Sequence, residues 1–178
     1  MMRKLISGFV VACLAIGTVG MAIAGWDPAN EKRARVTITE FKTTDPSIAT
    51  FFKDAHGYAV FPEITKGAVG IGGAGGDGTV FERGTAIGSS SMSQVTIGLQ
   101  LGGQTYSEVI FFKDKTALDN FKQGKYELAA GASAIALKSG AATTADYSNG
   151  VAIFTMGKGG LMFEASVGGQ KFSYEPKT

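Results

Sequence analysis

The sequence predicts an α+β fold: a twisted antiparallel sheet, barrel- or sandwich-like, preceded by two helices and interrupted by one short helix. Three observations point there. Hydrophobic spacing changes from helical to alternating at about Tyr58. Short apolar runs after that point are separated by glycine clusters, the punctuation of hairpins. Glycine reaches 26 residues against 4 prolines, without the Gly-X-Y period of collagen, so tight turns and close strand approaches account for it.

Each element has its own signal. Over 29–43, Ala34, Ile38 and Phe41 recur on one side while Lys32, Arg33, Arg35 and Lys42 lie around the others, which predicts an amphipathic helix. Asp45-Pro46 restarts a second helix over 46–55, with Ile48, Phe51 and Phe52 inward and Gly57 ending it. Tyr58 to Phe61 is a short strand closed by Pro62. Ala68–Ala74 and Thr79–Arg83 are two strands around a turn at Gly75-Gly76-Asp77-Gly78. Val95, Ile97, Leu99 and Leu101 alternate onto one face, and Gly102-Gly103-Gln104 turns the chain into Glu108–Phe112. Lys115–Lys122 is the inserted helix, with Asp114 as its cap and Leu118 and Phe121 inward. A small-residue strand pair spans Tyr126–Leu137 around Gly131. Val151–Met156, Leu161–Val167 and Lys171–Tyr174 complete the sheet.

The N-terminal segment has its own chemistry. Arg3 and Lys4 precede an uncharged stretch, Leu5–Ala24, that ends in Ala22-Ile23-Ala24. That order predicts a signal peptide over 1–24, cleaved near Ala24, and a single domain over 25–178 exported to the periplasm or cell envelope. Gly8, Gly17 and Gly20 argue against a retained membrane anchor. Cys13 is the one cysteine. It lies inside the stretch, so lipidation there is disfavoured and the remaining domain lacks a thiol.

Several activities lack their motifs. Gly70-Ile71-Gly72-Gly73-Ala74-Gly75 fits G-x-G-x-x-G, yet a strand follows it where a dinucleotide site needs a helix N-terminus, so no nucleotide is expected. His56 is the single histidine, has no G-x-S-x-G elbow or metal-ligand spacing with it, and reads as a helix-end polar residue. Glu63, Glu82, Glu108 and Glu164 are scattered. Gly75–Glu82 echoes Gly157–Glu164, which draws attention to Glu82 and Glu164. No catalytic residue, metal or cofactor is expected. Of 17 basic and 15 acidic residues, Arg3 and Lys4 belong to the N-terminal segment and the remainder balances. A neutral domain is not a general nucleic-acid binder. Lys32, Arg33 and Arg35 close behind Trp26 instead combine basic charge with an interfacial aromatic, the composition of a membrane-surface contact.

Ala55-His56-Gly57-Tyr58-Ala59-Val60-Phe61-Pro62, Lys66-Gly67 and the glycine-rich stretch that follows resemble the start of a SYLF domain. Gly98–Gln104, Ala117-Leu118 with Phe121, Tyr147-Ser148 and Gly160–Gly169 extend the resemblance from about residue 45 to the end. It implies a lipid-binding module for phosphoinositide or other anionic phospholipid, with actin contact in eukaryotic members. Here no SH3 or FYVE module is attached, and export broadens the expected ligand to anionic phospholipid. The residues expected to touch lipid are Trp26, Lys32, Arg33, Arg35 and Lys66. The competing readings are an assembly protein of the cell envelope that holds a protein partner at a strand edge, and a carrier of a small apolar ligand within the sheet.

Overall fold

The computed structural model describes residues 26–69, 71–97, 102–124, 133–158, 165–166 and 168–178. The predicted signal segment, the strand pair around Gly131, the end of the alternating run at Leu99 and Leu101, and most of Leu161–Val167 lie outside them.

Helix α1 (Pro28–Thr44) begins where Asp27 accepts a 2.9 Å hydrogen bond from the Ala29 amide, with proline in the first turn. It buries Ala34, Thr37 and Phe41 against the sheet. Asp45 leaves the helix in an extended conformation and its carboxylate then caps the next turn through Ser47. Its other oxygen accepts from the Ala142 amide at 2.8 Å, tying the chain start to a turn nearly a hundred residues on. A 3-10 turn at Pro46–Ile48 leads into α2 (Ala49–Asp54).

Nine strands follow among the described residues: β1 (Gly57–Val69), β2 (Ile71–Glu82), β3 (Thr85–Ile97), β4 (Gly102–Phe112), β5 (Ser133–Ala136), β6 (Val151–Lys158), β7 (Ala165–Ser166), β8 (Gln170–Phe172) and β9 (Glu175–Pro176). Helix α3 (Lys115–Lys122) sits between β4 and β5, capped by the Asp114 carboxylate on the Ala117 amide. The strand order is β7-β5-β6-β4-β1-β2-β3-β8, with β9 also beside β3. Neighbours are antiparallel except β5 and β6, which run parallel. The sheet curls into a half-barrel: Gln170 of β8 reaches Glu108 of β4 across the concave side, although three strands separate them along the sheet.

The strands are longer than the glycines suggested. Gly75-Gly76-Asp77-Gly78 is not a turn but the middle of β2, paired residue by residue with β3. A Cβ on Gly76 would overlap the Glu63 carbonyl oxygen, and one on Gly78 would stand 2.6 Å from Phe61 Cδ1. These glycines therefore make room for a neighbouring strand. Pro62 does not close β1; it falls where the register with both neighbours shifts, between Val60 and Thr65 on one side and Phe61 and Ile64 on the other. A bulge there absorbs the missing amide. The β2–β3 turn is Arg83-Gly84, and Gly102-Gly103-Gln104 opens β4. Val95, the first residue of the alternating run, is 75% exposed.

Because side chains alternate along a strand, both faces of the sheet are buried. Tyr58, Val60, Phe81, Val109, Phe111 and Phe154 face α1 and α2. Phe61, Ile64, Ile110, Phe112 and Ile153 face the concave side, where Leu118 and Phe121 of α3 and Phe172 of β8 cover them. No helix among the described residues is long and apolar enough to cross a membrane.

Candidate functional site

With one side of α1 fixed against the sheet by Ala34 and Phe41, its charged residues face outward. Lys32 is exposed and, among the described residues, has no carboxylate within ion-pair distance. Arg33 donates to the Asn30 side chain. Arg35 donates from Nε (3.0 Å) and Nη2 (2.7 Å) to one oxygen of Glu31, and its guanidinium lies 5.2 Å from the Phe81 ring centroid. Lys177 donates to the other Glu31 oxygen at 3.3 Å. The Arg35 hydrogen bond, with Lys177 beside it, holds the Glu31 carboxyl below its ordinary value.

Val36 stands 53% exposed among these cations. A groove of about 450 Å³ runs beside it between Lys32, Arg35 and Thr39. On its other side a cleft of about 210 Å³ brings Lys32, Arg33, Val36 and Glu40 together with Pro62 and Glu63 of β1 and Lys158 of β6, three cations beside two carboxylates. Lys158 joins this basic surface from a strand over a hundred residues away, a neighbour that no local pattern could supply.

Trp26 stands two residues before the first residue of α1. It is half-buried against the helix-side core, and the Lys177 ammonium lies 4.2 Å from its ring centroid. Lys66 sits farther along β1, opposite Ala74 and Gln104, and lines neither α1 groove. The structure thus groups Lys32, Arg33 and Arg35 along α1, sets Trp26 against the helix-side core just before it, and leaves Lys66 apart.

His56 lies just past α2, whose C-cap is Ala55; its amide bonds the Phe112 carbonyl and its ring pairs with Glu82, Nε2 lying 2.8 Å from Oε1. Glu164 lies outside the described residues. Glu108, one of the scattered carboxylates, is fully buried on the concave side. Burial pushes its carboxyl up to about 7, although the Gln170 amide, 3.2 Å from Oε2, favours the charged form. Its Oε1, the Gln170 Oε1 and the Thr155 hydroxyl have no hydrogen-bond partner among the described residues. The alternation Tyr106, Glu108, Ile110, Phe112 could have revealed this placement, since it sets the glutamate on an otherwise apolar face. No group of three His, Cys, Asp or Glu side chains among the described residues could hold a metal ion.

Residues 93–177, from the end of β3 through β9, match the family described as Las17-binding protein actin regulator, Ysc84. The chain is also 31% identical over 156 residues to beta cell expansion factor A of Aeromonas veronii. That alignment takes in 82% of this chain and 59% of the relative's own length.

Proposed function

The chain belongs to the Ysc84, or SYLF, family, and from that premise we propose that it is an exported, non-enzymatic protein that binds anionic phospholipid surfaces through α1. The observation that carries this reading is the exposure of Val36 between Lys32, Arg33 and Arg35. A half-exposed valine on the outer side of an otherwise well-packed helix gains from entering the headgroup boundary, on the order of 1 kcal/mol. Each cation near an anionic surface adds about 1 kcal/mol. The Glu31 pairs with Arg35 and Lys177 do not oppose this strongly, because exposed ion pairs contribute about 1 kcal/mol or less and can yield to lipid phosphates. Trp26 serves in this reading as the support that holds the start of α1 on the domain.

The family description speaks of binding the protein Las17 and of regulating actin. An exported domain meets envelope lipids first, and the charge on α1 fits them better than a sequence-specific peptide. Flotation with vesicles tests the reading. Vesicles of phosphatidylcholine with phosphatidylglycerol should retain the protein at low salt and release it at high salt. The pair Lys32→Glu and Arg33→Glu should reduce retention on the order of tenfold or more, and Val36→Asp should do so even at low salt. Equal retention by neutral vesicles, indifferent to salt, would overturn it.

A further inference from the structure

Away from the outer face of α1, at the end of the sheet where β1 begins and β2 and β4 end, lies a second basic feature. A cavity of about 460 Å³ is bounded by Lys53 of α2, His56, Arg83 and Gly84 of the β2–β3 turn, and Lys113 just past β4. Its frame is rigid. The His56 amide donates to the Phe112 carbonyl at 3.0 Å, the Arg83 amide donates to the His56 carbonyl at 3.1 Å, and the Lys113 amide donates to the Gly150 carbonyl at 2.9 Å. The imidazole is held by Glu82. By contrast, Lys53, Arg83 and Lys113 are exposed and, among the described residues, none has a carboxylate within ion-pair distance. Asp54 shares the rim and Glu82 lies behind the imidazole, two carboxylates against three cations without an ion-pair partner among the described residues.

Arg83 is there against local preference. It is the first residue of a two-residue hairpin, with φ +48° followed by Gly84 at +83°, the arrangement of a type I′ turn. That position favours asparagine, aspartate or glycine, since positive φ crowds an ordinary side chain. An arginine here projects a planar, multiply donating group over the cavity at some cost to the turn.

We infer that this cavity is a binding site for a phosphate monoester, with Arg83, Lys53 and Lys113 supplying the charge and His56 a positioned ring at its wall. The site goes beyond the α1 surface and does not depend on it. A doubly charged, compact oxyanion matches three cations around one cavity better than a phosphodiester does. The ester could be carried by a lipid headgroup or by a soluble metabolite; the chemistry recognised is the same.

Amide NMR on the purified protein, titrated with glycerol 3-phosphate, tests the inference. Saturable shifts are expected at His56, Arg83, Gly84 and Lys113, with no such response to sodium chloride at matched ionic strength. Arg83→Asn should weaken that binding on the order of tenfold. It should leave the melting temperature unchanged or raised, because asparagine adopts the turn more readily. Lys53→Ala with Lys113→Ala gives a second variant that does not touch the turn, and it should lose affinity likewise. Vesicles containing phosphatidic acid form the second arm. Response to glycerol 3-phosphate alone assigns the site to soluble esters, response to both probes to either source, and response to phosphatidic acid alone to the lipid. Silence of these amides toward both probes, or undiminished binding in Arg83→Asn, overturns the proposal. Neither outcome bears on Lys32, Arg33 and Val36, whose flotation test stands separately.

Discussion

The two faces of the sheet are built from the same strands but by different rules. Toward α1 and α2 the core is dense with aromatic rings: Phe111 alone lies 4.8 Å from Phe52, 5.3 Å from Phe51 and 5.8 Å from Phe154, centroid to centroid. Toward the concave side, Phe61, Ile110 and Phe112 share their space with Glu108, Gln170 and Thr155, all three buried. One face is a conventional apolar core. The other encloses polar atoms whose hydrogen-bonding capacity is only partly met, and unmet buried polar groups cost stability. Adjacent residues such as Phe111 and Phe112 serve opposite faces, so the difference is decided position by position along each strand.

The most damaging test of this contrast is to open the helix-side core. Phe111→Ala removes a fully buried ring at the meeting point of α2, β1 and β6, and the surrounding rings cannot close the space. Urea unfolding should show a loss of about 3–5 kcal/mol. A loss below about 1 kcal/mol would mean that the aromatic cluster is loosely packed and that α2 does not depend on it.

Next in size is the concave carboxyl. Glu108 has an ordinary value of 4.5 and is raised to about 7 by burial. The folded chain therefore holds this proton more tightly than the unfolded chain. Its contribution is complete below about pH 4.5, is lost as the pH rises toward 7, and stays lost above it. The span corresponds to about 3 kcal/mol. Glu108→Gln keeps an amide in place and cannot ionise. Relative to it, the natural protein should lose stability between pH 5 and pH 8, while the difference at pH 4 stays small. Parallel stability curves for the two proteins would show that the carboxyl is not held in a dry interior. The pairing of the two chains cancels other titrations, because both share them.

The contrast between faces also explains what the sequence could disclose. α1 was legible from its apolar spacing, and the turn into α2 and α3 also from their caps, because both signals are local: Asp45 and Asp114 each bond an amide within three residues. The α+β class and the curled sheet followed from the change in periodicity. Strand boundaries did not follow, because Gly76 and Gly78 answer to Glu63 and Phe61 on the neighbouring strand, and a glycine needed for close approach reads the same as one needed for a turn. Val95 shows the reverse failure, an apolar residue in clean alternation that ends up in solvent. The cations of α1 were visible as a cluster. Their pairing with Glu31, and the approach of Lys177 to Trp26 from the far end of the chain, depend on tertiary structure. The Arg83 cavity was hidden for the same reason: its cations come from α2, a hairpin and the end of β4.

A smaller change separates the two faces most cleanly, because it should carry the opposite sign to ordinary core mutation. Thr155 is cross-strand from Glu108 on β6 and is 1% exposed, and its hydroxyl finds no partner among the described residues. Valine has the same branched shape and an equal liking for strands. Thr155→Val therefore removes a desolvated hydroxyl without opening a cavity, and stability measured at pH 5 should rise by about 1 kcal/mol. At the matching strand position on the helix-facing side, Phe154, there is no polar atom to remove, so any truncation there can only destabilise. A loss of stability in Thr155→Val would contradict the picture of an unmet hydroxyl on the concave side. It would mean that the hydroxyl bonds Glu108 through ordered water, and its deletion should then steepen the dependence on pH between 5 and 8, since a carboxylate deprived of its donor is harder to ionise.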